Sequence, residues 1–245
     1  ILAIERDGRP VQYVGKLIKR AEPIAEDYVE IKAGETLSVT FDPSATYDMR
    51  AKGEYTMRYR VALQVEATTA TDLLLAPSAP TQRVIESNDI RLWVEGVEAG
   101  FDTFDESTIE NAKKPPAPTD PAYNGCSNTQ ISTLNTAKSN ALSISGKAVN
   151  HLTANPNGST LYTYWFGTYS SSRFNTVDSH FDAIKDAFAT KTVTFDCTCK
   201  QRYYAYVYPT QPYKIYLCSV FWTAPNLGRD SKAGTLVHET SHFNV

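Results

Sequence analysis

The sequence predicts a two-domain protein. An N-terminal all-β antiparallel sandwich over residues 1–111 is followed by a proline-rich linker at 112–122 and an α+β domain over 123–245. Three observations predict this. Apolar and polar residues alternate with period two through the first half, as half-buried strands require. A run with four prolines then interrupts the pattern. Beyond it helical spacing appears for the first time, and all four cysteines fall there.

The composition, 42% hydrophobic and 21% charged over 245 residues, fits one large or two ordinary globular domains. A net charge of -3 with no basic run speaks against nucleic-acid binding. No apolar stretch approaches the roughly 18 residues of a membrane span.

The clearest strand of the first half places Tyr55, Met57, Tyr59, Val61, Leu63 and Val65 opposite Thr56, Arg58, Arg60, Ala62 and Gln64. One face is buried and one is wet. Leu37, Val39 and Phe41 alternate in the same way, as do Ile90, Leu92 and Val94; shorter candidates are Val11–Val14 and Tyr28–Ile31. Ala33-Gly34-Glu35, Asp42-Pro43-Ser44 and Lys52-Gly53-Glu54 supply turns between them. Short strands at this spacing predict a small sandwich, and no catalytic constellation occurs in it.

The break reads Asn111-Ala-Lys-Lys-Pro-Pro-Ala-Pro-Thr-Asp-Pro-Ala-Tyr123. Its prolines favour extended, exposed backbone. Lys113 and Lys114 within it form a candidate processing site, against the plainer reading of a solvated linker.

Two helices follow. Ile131, Leu134, Ala137, Ala141 or Leu142, Ile144 or Ser145, Ala148 and Leu152 keep a helical period, and so do Val177, Phe181, Ile184 and Phe188. His151 and His180 lie on these helices without a neighbouring acid or cysteine at ligand spacing, and are read as structural or surface residues. Strands return at Val193–Cys197, Tyr203–Tyr208 and Lys214–Trp222. Their aromatic density suggests a core sheet whose edge can receive an extended peptide. Cys126, Cys197, Cys199 and Cys218 predict two disulfides and an oxidising, extracellular compartment. Three pairings are possible, of which Cys197–Cys199 is sterically poor.

The chemistry concentrates in Thr235-Leu-Val-His238-Glu239-Thr-Ser-His242. On a helix, positions i and i+4 share a face, so His238 and His242 present two imidazoles to one point at the spacing a zinc ion needs. Glu239 is placed to reach a water at the metal rather than the metal itself. Asp230 and Ser231 are expected to cap the helix. A catalytic zinc takes three protein ligands, and only Phe243, Asn244 and Val245 follow His242.

The second half resembles the aspzincin metalloendopeptidases, in particular their peptidyl-Lys branch. The resemblance rests on Tyr123-Asn-Gly-Cys-Ser127, Tyr164-Trp-Phe-Gly167, Ser171-Ser-Arg173 and Phe195-Asp-Cys-Thr-Cys199. It continues through Ala205-Tyr-Val-Tyr-Pro209, Tyr216-Leu-Cys218, Phe221-Trp222, Ala224-Pro225 and Ala233-Gly-Thr-Leu-Val-His-Glu239. The first half more loosely resembles the prodomain of the same family, around Ala33-Gly34-Glu35 and from Tyr47 to Tyr55.

This resemblance implies a zincin-like fold for residues 123–245, a Zn2+ cofactor, His238 and His242 as ligands, and Glu239 as general base. It implies the disulfides Cys126–Cys197 and Cys199–Cys218. It also implies a secreted endopeptidase acting on proteins or peptides, with lysine preference, held as a proenzyme by its own prodomain. The third ligand is then expected to be an Asp from a segment beyond residue 245. The competing expectation is a catalytically inactive binding module.

Overall fold

A computed structural model describes residues 2–63, 83–96 and 121–243. The linker and the dilysine at 113–114 lie outside these residues. The chain divides into two compact units, 1–14 with 40–110 and 15–39 with 111–245.

The described part of the first unit is one antiparallel sheet. Strand β1 (Leu2–Arg6) pairs with β2 (Arg9–Pro10) on one side and with the long β4 (Gly53–Leu63) on the other. The second edge of β4 is shared by β5 (Arg83–Glu86) and β6 (Ile90–Val94). The alternation read from the sequence is visible in β4, where Tyr55 and Met57 are buried beside Ile4. Tyr55 is fully enclosed and its hydroxyl donates to the carbonyl of Ala51 at 2.8 Å. A second sheet, which a sandwich needs, is not formed among the described residues. The turn entering β4 depends on Gly53, whose φ is +158° and where a Cβ would fall 2.8 Å from Asp7 Oδ2.

Three expected strands of the first half differ. Residues 28–31 and 37–41 form no strand. Leu37, Val39 and Phe41 are all exposed, so their alternation has no buried face to specify. Around Val11–Val14 only an isolated bridge from Tyr13 to Tyr47 occurs.

The second unit is α+β. Its sheet runs β3-β9-β10-β8-β7, built from β3 (Leu17–Arg20), β9 (Tyr203–Val207), β10 (Lys214–Leu217), β8 (Thr194–Asp196) and β7 (Ala122–Asn124). The pairs β7–β8 and β8–β10 are parallel, whereas β9 is antiparallel to both β10 and β3. Residues expected in the first domain thus fold with this unit: β3 lies at sequence positions 17–20 and occupies the sheet edge.

Helix α1 (Asn128–Ala154) opens with a reciprocal cap, in which Ser127 Oγ accepts from Gln130 N at 3.3 Å and Gln130 Oε1 accepts from Ser127 N at 2.9 Å. Helix α2 (Thr160–Phe166) was not foreseen; its aromatic run lacks a helical stripe. Helix α3 (Ser171–Thr190) packs against α1. The expected strand 214–222 stops at Leu217 and turns into the short helix α4 (Ser219–Thr223), and helix α5 (Lys232–Thr240) follows. Leu134, Phe188, Phe195, Val207, Leu217 and Leu236 meet in one core between sheet and helices. Two disulfides, Cys126–Cys197 and Cys199–Cys218, brace its margin with the pairing the resemblance implies. No described helix is long and apolar enough to cross a membrane.

Candidate metal centre

Helix α5 positions the His-Glu-x-x-His residues. Ser231 caps it, accepting from Gly234 N at 3.0 Å. Its inner face is Ala233, Thr235, Leu236, Glu239 and Thr240, all buried. Leu236 drives that face into the core, packed towards α1 and the sheet. Burying Leu236 fixes Glu239 three residues, just under one turn, further on, so its side chain is carried inward while His238 stays at the surface.

The α-helix ends at Thr240, before His242. The chain continues in a tightened turn: Ser241 N bonds to Val237 O at 3.1 Å and His242 N to Glu239 O at 3.2 Å. This turn keeps the two imidazoles on one side. Their Nε2 atoms are 3.2 Å apart and the rings stand nearly perpendicular, at 89°. Two zinc–nitrogen bonds of about 2.0–2.1 Å meeting near the tetrahedral angle place their nitrogens roughly 3.3 Å apart. The pair therefore has the separation a zinc ion requires.

The electrostatics agree with that fit. Burial of its surroundings, then the neighbouring His242 and Lys19, push the His238 imidazolium down to about 4. Burial also lowers His242. Both rings are thereby neutral donors at physiological pH, as metal ligation demands. Glu239 is fully enclosed and neither carboxylate oxygen has a hydrogen-bond partner. Burial raises its carboxyl to about 8, against a smaller lowering by Lys19. A buried carboxyl group without a hydrogen-bond partner beside two converging imidazoles is a costly arrangement for the protein alone. A cation held by the histidines would offset that cost.

No group of three His, Cys, Asp or Glu side chains that could hold a metal occurs among the described residues. His180, read as a structural or surface residue, lines a cavity of about 290 Å³ with Tyr213 and His242, and so neighbours the centre without joining it. His151 is tied to Ser159, its Nε2 2.9 Å from the hydroxyl oxygen. A larger cavity of about 580 Å³, lined by Leu152, Tyr162, Trp165 and Phe181, takes no residue from the motif.

Two residues beside the centre escaped the sequence. Asp230, expected as a cap, instead sits before the cap at φ +50° and accepts from Lys19 Nζ at 3.0 Å. Lys19 is brought there by β3, whose register sets Lys19 opposite Ala205. The contact joins positions 211 apart, and no local signal announces it.

Comparison with known proteins places these features in a family. Residues 151–245 match the aspzincin family model, described as lysine-specific metallo-endopeptidase. The whole chain is 44% identical over 250 residues to an extracellular protease of Aeromonas hydrophila, spanning 68% of that protein. It is 33% identical over 240 residues to the peptidyl-Lys metalloendopeptidase of Grifola frondosa, covering 96% of this chain and 63% of the relative. Among solved structures, a zinc peptidase from Grifola frondosa matches 48% of this chain and 72% of its own at 43% identity, with a TM-score of 0.46. The chain belongs to the aspzincin family of metalloendopeptidases.

Proposed function

We propose that this chain is the larger part of a secreted zinc endopeptidase in proenzyme form. His238 and His242 are two of three protein ligands, and an Asp on a segment beyond residue 245 is the third. The observation that carries the reading is the pair of Nε2 atoms 3.2 Å apart beside a buried carboxylate with no partner. Secretion is supported by the two disulfides and by the extracellular protease among the relatives.

When bound, the zinc supplies Lewis-acid polarisation to the site. Glu239 supplies the proton movement. Its enclosure gives the carboxyl an affinity for a proton suited to neutral pH. It takes a proton from the attacking water and returns it to the leaving amine nitrogen. The core under α5 holds the carboxylate inward and excludes bulk water from its far side. Lysine preference is supported by the peptidyl-Lys metalloendopeptidase of Grifola frondosa and by the lysine-specific description of the family.

We also propose that residues 1 to about 111 act as an inhibitory propeptide, released by cleavage near Lys113-Lys114. Its segment 15–39 folds with the peptidase unit, and β3 covers the β9 edge. Cleavage turns that intramolecular partner into a dissociable one and removes an effective concentration on the order of millimolar. The test compares casein hydrolysis and zinc content of the uncut precursor with those of the cut protein. Activation on cutting, at one zinc per chain, supports the proposal. Equal activity before and after cutting contradicts the inhibitory role.

A second reading, an inactive binding module, is favoured by the absence of a third ligand among the described residues. It predicts metal-free protein and no hydrolysis in either form.

A further inference from the structure

Among the described residues, four buried side-chain oxygens have no hydrogen-bond partner, and three of them belong to α5: Thr235 Oγ1 and both carboxyl oxygens of Glu239. Both residues are fully enclosed, at 0% exposure. They lie at i and i+4 of the helix, one above the other on its inner face, a spacing that sets their Cβ atoms about 5–6 Å apart. Helix side chains lean towards the N-terminus, so the longer Glu239 reaches back over Thr235.

Two other buried hydroxyls on the helices show the ordinary recourse of such a group. Ser145 Oγ donates to Ala141 O and Thr240 Oγ1 to Leu236 O, each at 2.8 Å. The corresponding bond, from Thr235 Oγ1 to Ser231 O, is not made. The Glu239 carboxyl is not served from elsewhere either. Lys19, whose charge bears on it, has its Nζ on Asp230 at 3.0 Å. An unsatisfied buried hydroxyl and an unsatisfied buried carboxyl are each costly, and each is what the other lacks. A hydroxyl donates to a carboxylate and accepts from a carboxylic acid, so the match holds in either protonation state.

We infer that Thr235 is a positioning residue for Glu239. By rotation of the two side chains its hydroxyl pairs with one carboxyl oxygen and leaves the other turned towards the imidazole pair of His238 and His242. A general base needs one oxygen presented in a fixed plane. Thr235 supplies the fixing contact and itself touches neither substrate nor metal. The role rests on the proton transfer proposed above for Glu239, whereas the pairing requires no metal.

The pairing is tested on the full chain with a chelator present, by urea denaturation at pH 7 of Thr235→Val, Glu239→Leu and the double variant. Valine keeps the shape of threonine and lacks the hydroxyl. Thr235→Val lowers the folding equilibrium constant at least about fivefold in the otherwise unaltered chain, and does not lower it in the Glu239→Leu background. A truly unpartnered hydroxyl gives the reverse: its removal raises the constant in both backgrounds, which overturns the inference. An equal loss in both backgrounds overturns it as well. Should Thr235→Val not fold alone, the double variant decides. Folding rescued by Glu239→Leu supports the pairing, and failure to fold there overturns it.

The positioning role is read in the chain continued through its Asp-bearing segment and cut from its propeptide. Thr235→Val keeps its zinc and a KM within about twofold while kcat falls about tenfold, and Thr235→Ser recovers most of that loss. An unchanged kcat overturns the role, and so does loss of zinc. Full hydrolysis by Glu239→Gln would instead overturn the proton-transfer reading, and a positive metal-free cycle beside it leaves the pairing supported.

Discussion

Nε2 of His238 lies 3.2 Å from Nε2 of His242, although the two residues sit on either side of the end of α5. The tightened turn through Ser241 makes this possible, and Ser241 Oγ fixes it by donating to His238 O at 2.6 Å. Each imidazole is then half of a two-nitrogen donor set. His238→Ala and His242→Ala are each expected to lower zinc affinity by at least about a hundredfold, since each removes a proposed direct ligand. Competition against a chromogenic chelator measures this. Unchanged affinity in either variant removes that residue from the ligand set.

The metal-free chain should carry a pH signature of Glu239. Its folded carboxyl is raised from 4.5 to about 8 by burial. Between those values the folded protein holds a proton that the unfolded chain has released, so stability falls as pH rises. His238 acts oppositely and lower: its folded value is depressed from 6.5 to about 4, and stability falls as pH drops through that window. Above pH 6.5 only the Glu239 effect remains. From pH 6.5 to 8 the unaltered chain should lose stability relative to Glu239→Gln, on the order of 2 kcal/mol. Urea denaturation at a series of pH values checks the slope; parallel curves for the two proteins contradict the burial argument.

Asp196 braces the parallel side of the sheet. Its carboxylate accepts from Asn124 Nδ2 at 2.7 Å, Thr198 N at 3.0 Å and Thr198 Oγ1 at 2.6 Å. Burial alone raises its pKa, but the Thr198 and Asn124 hydrogen bonds outweigh it and the net shift is downward. The contribution is present above the unfolded value of about 3.9 and is lost as pH falls through the folded one. Asp196→Ala should cost about 2–3 kcal/mol at pH 7, because three donors lose a charged acceptor. The difference should shrink below pH 3.9. A cost under about 0.5 kcal/mol at pH 7 contradicts the network's role.

The legible parts of the chain were those where one local rule decides. The period of Leu134, Ala137, Ala141 and Leu152 announces α1 because each becomes a buried helix position. Tyr55 and Met57 announce β4 for the corresponding reason. The motif residues were legible because His spacing and helix period coincide. Leu37, Val39 and Phe41 misled because alternation is necessary but not sufficient for a strand; no partner or core meets them. Strand β3 was invisible because Leu17-Ile18-Lys19-Arg20 does not alternate. Its pairing is with residues nearly two hundred positions away, Leu17 with Val207 for example. The tail of the expected 214–222 strand failed at Cys218, where a helix begins under cover of β-prone Val220 and Phe221.

The central claim is that Glu239 moves protons and does not hold the metal. The direct measurement is zinc stoichiometry and casein hydrolysis on the same samples of Glu239→Gln, made in the chain continued through its Asp-bearing segment and cut from its propeptide. The account predicts one zinc per chain, as in the unaltered protein, with hydrolysis reduced by at least about a thousandfold. Loss of zinc as complete as in His238→Ala would make Glu239 a ligand, and hydrolysis within about tenfold of the unaltered enzyme would show that the base lies elsewhere.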